Sequence, residues 1–189
     1  MAIAKKKKKF FDVQIPLISK TTQLYAYSRE ELKGRCIKYD LTRILRGKNA
    51  ILRLKVTLDK EELTTFPIEL KLLPFFLKKM VRKGTNYVES SFSTPCKDTQ
   101  LRIKPLLITR RKVSRAVRKA LREKSKELLI EHVKNKTTET LFQELLKNHL
   151  QKTLSLKLKK IYPLSLCEIR VFKVEKTLEK KPEKKKETK

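Results

Sequence analysis

Eleven lysines and arginines crowd the segment from residue 102 to residue 126, where Glu123 is the single acidic residue. Ion pairs within the segment therefore cannot neutralise these cations. Guanidinium groups match phosphate oxygens with two parallel hydrogen bonds, and they lose hydration more readily than ammonium groups. The pattern thus predicts contact with nucleic-acid phosphates rather than a merely solvated surface. The candidate phosphate-binding residues here are Arg102, Arg110, Arg111, Lys112, Arg115, Arg118, Lys119 and Arg122.

Basic residues outside this segment extend the same prediction. The net charge of the chain is +29 at pH 7, and a compact body with this charge repels itself unless an anion neutralises it. We include Lys5, Lys6, Lys7, Lys8, Lys9 and Arg35 among the candidate RNA-binding residues. Charge alone does not separate RNA from DNA, and phosphate contacts do not indicate base specificity.

The other reactive residue types form no recognisable catalytic or metal-binding pattern. His132 and His149 lie 17 residues apart, and the adjacent Glu61 and Glu62 lack the spacing that aligns carboxylates on a helix. Three glycines are too few for a phosphate-binding loop or a dinucleotide fingerprint. We therefore predict a protein that is not an enzyme and that has no cofactor and no metal site.

Cysteine usage and hydrophobicity bear on the compartment. Cys36, Cys96 and Cys167 are odd in number and form no CxxC pair, so they predict small buried residues in a reducing compartment. The longest apolar run, residues 72–77, is too short to cross a bilayer. The basic segment lacks the large aromatic residues that would seat it in a membrane interface. The sequence thus predicts a cytoplasmic protein with no membrane partner.

One long helix is expected to hold most of the arginines. At about 100° per residue, apolar side chains and cations separate onto opposite sides. The predicted packing face consists of Val113, Ala116, Val117, Ala120, Leu121, Lys124 and Leu128. The opposite side carries Lys126 together with the four residues that we call the arginine stripe, namely Arg111, Arg115, Arg118 and Arg122.

The rest of the chain predicts short strands and further helices. Clean alternation over residues 50–58 is typical of a half-buried strand. Helices are expected over 28–33, from an N-cap at Ser28, and over 74–82, from Pro74. A longer helical stretch over 138–162 begins at Thr137 or Thr140 and is interrupted near Asn148. The predicted strands are 23–27, 34–39, 50–58, 64–72, 86–94, 100–108 and 167–174.

These elements predict an α+β fold, a small β-barrel or curled sheet of about six to seven strands flanked by C-terminal helices. The last strand is expected to return to the sheet and so to tie the helices to it. We predict one domain over residues 10–175, between a basic leader (1–9) and a charged tail (176–189). Within it, the expected divisions are mainly strands (10–108), mainly helices (109–162) and a final strand (163–175).

Four pieces of the sequence, in this order, resemble the ribosomal S3Ae family of archaea and eukaryotes, and the short length resembles archaeal members. They are KKFFDV (8–13), LKGR (32–35), LRIKPLLITRRKVSRAVRKALR (101–122) and IYPLSLCEIRVFKV (161–174). The turn before Leu101 lacks the glycine that the family commonly has, so the type of this turn stays open.

The resemblance implies a barrel flanked by helices on the platform of the small ribosomal subunit, near the messenger exit. It implies a structural constituent that binds rRNA and neighbouring ribosomal proteins during translation, with messenger RNA or initiation factors as further candidate partners. The alternative from the residues alone is an RNA-processing or chromatin-associated protein that binds nucleic acid off the ribosome.

Overall fold

A computed structural model describes residues 7–45, 47–59 and 62–177 of the chain. Most of the strands lie before the long helix, as the alternating patterns predict. The strands are Lys9–Ile15 (β1), Lys20–Ala26 (β2), Cys36–Asp40 (β3), Ala50–Asp59 (β4), Glu62–Leu72 (β5), Tyr87–Glu89 (β6), Phe92–Pro95 (β7), Thr99–Thr109 (β8) and Leu164–Thr177 (β9). The helices are Arg29–Leu32 (α1), Pro74–Met80 (α2), Arg115–Lys134 (α3), Thr138–Leu146 (α4) and His149–Leu158 (α5).

The strands form two antiparallel sheets. The larger sheet has seven strands in the order β3-β4-β5-β9-β8-β6, with β7 also paired to β8. The last strand, β9, thus lies between β5 and β8 at the centre of the sheet. It joins the group β3-β4-β5 to the group that contains β8, β6 and β7. The α+β class and the returning strand are confirmed.

The larger sheet is open and does not close into a barrel, so the barrel version of the prediction is wrong. Its outermost strands, β3 and β6, have five and three residues and pair on one side only. The strands β1 and β2 pair with each other in a separate sheet. The smaller sheet that they form contacts β5.

Two hydrophobic clusters hold the layers together. The main cluster joins the larger sheet to α3, α4 and α5, and Phe142 on α4 meets Phe172 on β9 edge to face, with ring centroids 5.0 Å apart. The second cluster lies under the smaller sheet, where Val13 and Ala26 pack against Val56 and Leu63. Burial of complete aliphatic and aromatic side chains supplies the main driving force for both contacts.

Several predicted elements differ from the observed ones in their bounds. β1 is absent from the predicted strands, and the strand predicted over 86–94 is two strands, β6 and β7, separated at residues 90 and 91. The predicted interruption near Asn148 is confirmed, because this residue has a left-handed backbone (φ 60°) between α4 and α5. Asparagine tolerates this conformation better than most residues.

The three cysteines differ in their burial. Cys96 and Cys167 are buried, but Cys36 is exposed on the edge strand β3, so the prediction of a buried residue is wrong for Cys36. Edge position explains the error, since alternation alone does not say which side is covered.

In the turn between β7 and β8, the N–H of Cys96 donates to the carbonyl of Thr99 at 2.8 Å, so this turn closes without a glycine.

Candidate nucleic-acid interface

The loop that leads into α3 is held by hydrogen bonds on both sides. Thr109, the last residue of β8, donates its hydroxyl to the carbonyl of Arg111 at 2.7 Å. The side chain of Asn86 accepts from the N–H of Val113 at 2.9 Å. Ser114 then caps the helix, because its hydroxyl accepts from the N–H of Val117 at 3.4 Å. The cationic side chains of this loop therefore extend from a backbone that hydrogen bonds hold in place.

The packing face of α3 differs from the predicted one. Its buried residues are Leu121, Ser125, Leu129 and Val133. Ala116 and Ala120, which were expected to pack, are exposed. The face is turned by about a third of the helix circumference because the large leucines, rather than the alanines, offer apolar area to bury. Ser125 is accommodated because its hydroxyl donates to the carbonyl of Arg122 at 2.9 Å.

The arginine stripe points to nearly the same side as the packed face but nearer the start of α3, because Arg118 and Arg122 lie about two turns before the buried Ser125 and Leu129. Arg111, Arg115 and Arg122 are exposed, whereas Arg118 is half-buried, and its Nε is buried without a hydrogen-bond partner. A buried, unsatisfied guanidinium nitrogen costs free energy, so Arg118 is the member of the stripe that the fold constrains most. The prediction that the stripe lies opposite the packed face is therefore wrong for its members on α3, and Arg118 is the one that the fold covers most.

Most of the predicted cations in and before α3 have no acidic partner in the described part of the chain. No carboxylate there lies within 4.0 Å of Arg110, Lys112 or the members of the arginine stripe. Lys119 approaches Glu123 at 3.9 Å, but both side chains are more than half exposed, so water screens this pair. The result is a cluster of cations whose hydrogen-bond donors remain open to a ligand.

Arg102 differs from the other predicted residues of this segment because it has a close carboxylate partner. Its Nε lies 2.5 Å from Oε1 of Glu175, whose other oxygen accepts from the hydroxyl of Ser93 at 2.8 Å. These contacts lower the pKa of the Glu175 carboxyl, mainly through the hydrogen bond from Ser93 and then through Arg102, against the effect of burial. A phosphate at Arg102 would have to compete with this carboxylate.

The N-terminal candidates lie on another part of the molecule. Lys5 and Lys6 fall outside the described residues, whereas Lys7, Lys8 and Lys9 are exposed. Arg35 is exposed and reaches back to β2, where its Nη1 donates to the carbonyl of Tyr25 at 3.4 Å. The structure thus gathers the predicted cations into two groups, one around the start of α3 and one around the smaller sheet.

The sequence patterns did not predict three exposed aromatic rings at the smaller sheet. Phe10, Tyr25 and Tyr27 are 68%, 51% and 50% exposed. Finding them from the sequence would have required recognising β1, because only the pairing of β1 with β2 brings residue 10 opposite residue 25. The alternation over 23–27 indicates that Tyr25 and Tyr27 share a face, but it does not indicate that Phe10 lies beside them.

A cluster of polar residues of the types found in catalytic sites connects α4 to the end of α3. Glu144 on α4 accepts from Lys136 and His132 near the end of α3. Burial opposes the ionised form, but these two hydrogen bonds outweigh it and lower the pKa of the Glu144 carboxyl. Within residues 7–45, 47–59 and 62–177, no group of three or more histidines, cysteines, aspartates or glutamates could hold a metal ion.

Two further observations concern the thiols and the helices. Burial of the Cys96 thiol opposes ionisation, but hydrogen bonds from Thr99 and Thr138 outweigh it and lower its pKa. Burial, together with the neighbouring Glu168, raises the pKa of the Cys167 thiol to about 12. Among the helices that the structure describes, none is long and apolar enough to span a membrane.

Comparison with known proteins adds independent information. The model of the ribosomal S3Ae family matches residues 4–178. A small ribosomal subunit protein eS1 of Nanoarchaeum equitans is 29% identical over 180 residues, which cover 90% of each chain. A protein of the same name from Methanothermobacter thermautotrophicus is 31% identical over 121 residues, 62% of each chain.

Proposed function

This chain belongs to the ribosomal S3Ae family, and on that premise we propose that its fold holds guanidinium groups against the phosphates of rRNA. The chain is a structural constituent of the small ribosomal subunit and takes part in translation. Its association with the ribosome brings it together with rRNA and with other ribosomal proteins. No observation favours the alternative of a processing or chromatin-associated protein that acts off the ribosome.

One observation supports the phosphate contacts more than any other. Apart from Lys119, the cations around the start of α3 lack carboxylate partners in the described residues, and they lie on a loop and a helix that hydrogen bonds and packing hold in place. Because the backbone that carries these side chains is already held in place, it loses little conformational entropy when they bind a phosphate. The residues proposed for this contact are Arg110, Arg111, Lys112, Arg115, Arg118, Lys119 and Arg122.

Other parts of the proposal extend to the ends of the chain and to its surroundings. The N-terminal lysines and Arg35 form a second rRNA contact, and Arg102 contributes where rRNA displaces Glu175. Residues 10–175 act as one domain, and the lysines of the leader and of the charged tail contact RNA phosphates. The site in the subunit is the platform near the messenger exit, in the cytoplasm, with messenger RNA or initiation factors as neighbours. The role is non-catalytic and needs no cofactor.

The double substitution Arg115→Glu with Arg122→Glu tests the stripe in the full-length chain. Both side chains are exposed, whereas reversal of Arg118 would bury a carboxylate and confuse folding with binding. Because each phosphate contact contributes about 0.7 to 0.9 to the slope of log K against log salt, loss of two contacts should flatten this slope by about 1.4 to 1.8. The measurement is binding to transcribed small-subunit rRNA between about 50 and 200 mM salt.

A matched control makes the same change of net charge elsewhere. Lys152→Glu with Lys159→Glu alters two exposed lysines on and just after α5. We expect this control to lower affinity less, to keep the salt slope, and to follow the small subunit in a sucrose gradient. Equal losses in both double variants would show that net charge, and not the stripe, determines rRNA binding. A wild-type chain that stays at the top of the gradient would contradict the ribosomal role itself.

A further inference from the structure

The outward face of the smaller sheet combines aromatic rings with cations. Phe10 on β1 lies directly across from Tyr25 on β2, and their ring centroids are 4.9 Å apart at an interplanar angle of 41°. The ammonium group of Lys8 lies 5.6 Å from the ring centroid of Tyr25 and 5.0 Å from that of Tyr27. We call Phe10, Tyr25 and Tyr27 the aromatic platform.

The rings are exposed although the sheet beneath them is packed. Val13 and Ala26, which point to the opposite side of the sheet, are at most 1% exposed, and they anchor the sheet on the second hydrophobic cluster. Phe10 is 68% exposed, so its apolar area contributes little to this packing. A rigid support below and exposed rings above are what a stacking surface requires, and the flexible Lys8 side chain over the two tyrosines can move aside for a base.

The chemistry around the rings favours RNA over a protein partner. The outward neighbours along β1 and β2 are polar residues, among them Asp12, Gln14 and Gln23, so the platform is not part of a broad aliphatic patch. Residues 7–35 contain seven lysines and arginines against three aspartates and glutamates, which gives this region a positive charge. Aromatic rings that stack bases, flanked by cations that hold phosphates, are the common means of binding unpaired RNA.

We propose that the aromatic platform stacks the bases of a single-stranded RNA segment, while Lys8 and Arg35 hold its backbone. This inference rests on the proposed function, since it adds an unpaired segment to a protein that contacts rRNA. The phosphates lie on the side of Lys8 and Arg35, because the carboxylate of Asp12 borders the rings at the other end and repels them.

Phe10→Trp gives a direct reporter of stacking, because the chain has no tryptophan of its own. The indole can stack a base as the phenyl ring does. In the full-length chain, the fluorescence of this indole should be quenched by a single-stranded oligoadenylate and much less by an RNA duplex of the same length. Equal quenching by both, or quenching by neither at saturating single strand, would overturn the proposal.

The triple variant Phe10→Thr, Tyr25→Thr, Tyr27→Thr tests how much the rings contribute to binding. Threonine suits strands and keeps the inward face intact, and a thermal melt verifies that the variant folds. Each base that loses its stacking partner should weaken oligoadenylate binding about tenfold, while the salt slope stays unchanged because the cations remain. Tyr87→Thr is the matched control, since Tyr87 is an equally exposed tyrosine (57%) on β6.

The outcomes separate this inference from the proposed function. A triple variant that binds oligoadenylate within twofold of the wild type, or a Tyr87→Thr chain that loses as much, would overturn the platform while the rRNA contact of α3 stands. A triple variant that binds RNA normally but fails to enter small subunits would show that the rings hold a protein neighbour instead, which also overturns it. A wild-type chain that binds no rRNA would contradict the proposed function.

Discussion

Helix α3 and strand β9 are both rich in charge, but they hold their charged residues in different ways. On β9, Glu168 pairs with Lys48, which lies in the turn before β4. Arg170 pairs with a carboxylate on β6, and Glu175 pairs with Arg102 on β8. On α3, the arginine stripe has no such partner among the residues that the structure describes. The same residue type thus serves the fold in one place and stays open in the other.

The comparison teaches that pairing, rather than the count of cations, distinguishes a candidate ligand surface. A guanidinium held by a carboxylate has already used part of its five N–H donors, and its charge is partly neutralised. The pairs of β9 link strands that are far apart in sequence, since Arg170 and Glu89 are separated by 81 residues. The stripe links no strands, so its removal should affect binding more than folding.

The largest expected effect comes from breaking the buried pair of β9. The Nζ of Lys48 lies 2.5 Å from Oε1 of Glu168 and 2.5 Å from Oδ1 of Asn148. Glu168 is only 5% exposed. Lys48→Met leaves the Glu168 carboxylate buried without its counter-charge, which should lower the free energy of unfolding by about 3 kcal/mol. Equilibrium unfolding in urea at neutral pH measures this change.

Arg115→Met is the matched comparison on α3, because it removes a cation in the same way from an unpaired position. We expect it to change the free energy of unfolding by less than about 0.5 kcal/mol. Glu168→Gln should cost less than Lys48→Met, since the lysine that remains is more exposed than the glutamate. Similar losses for Lys48→Met and Arg115→Met would remove the distinction between the two regions.

A smaller effect should follow from making α3 resemble β9. Lys119 lies four residues after Arg115 and three before Arg122, so Lys119→Glu places a carboxylate within reach of both arginines. The stripe would then be partly paired, and rRNA affinity at low salt should fall about tenfold, with a salt slope flatter by about 1 to 2. Filter binding at several salt concentrations tests this expectation.

Lys134→Glu provides the control, since it makes the same change of charge at the exposed last residue of α3. It should change rRNA affinity much less than Lys119→Glu and leave the slope in place. If both variants lost affinity equally, the total charge of α3 would matter and the partners of its arginines would not.

Local patterns in the sequence predicted the elements that bury one clean face. Alternation over 50–58 located β4 to within one residue because one side of that strand is fully buried. The sequence also indicated the break at Asn148 and the returning strand β9. β1 was missed because its lysines and adjacent phenylalanines merge with the basic leader and hide the alternation.

Contacts between residues far apart in the chain determine the packing face of α3 and the partner of Arg102, and the sequence patterns did not indicate either. The packing face of α3 depends on which side chains the sheet and α5 cover, and the helical pattern alone gave equal weight to small alanines and large leucines. The partner of Arg102 is a glutamate 73 residues further along the chain, as their numbers show, so the basic segment looked uniformly unpaired. The candidate residues were visible in the sequence, but their partners required the fold.

The smallest expected effect concerns the pH dependence of the β9 pairs. The pKa of Glu175 is lowered in the folded state from its ordinary value of 4.5, first by the hydrogen bond from Ser93 and then by Arg102. A carboxyl with a lowered folded-state pKa stabilises the fold above its unfolded pKa, and this contribution is lost as the pH falls through the folded value. Glu175→Gln should therefore lower the melting temperature slightly at neutral pH.

The same substitution should have progressively less effect as the pH falls from 4.5 through the lowered folded-state pKa, because the unfolded chain takes up the proton first and the stabilising contribution of the ionised carboxyl is lost. Arg115→Gln serves as the comparison on α3, since an arginine stays charged throughout this range and has no carboxylate partner to titrate. Its small effect on the melting temperature should be the same at both ends of the range. A difference between wild type and Glu175→Gln that stayed unchanged as the pH fell from neutral to well below 4.5 would mean that the shape of the side chain, and not its charge, stabilises β9.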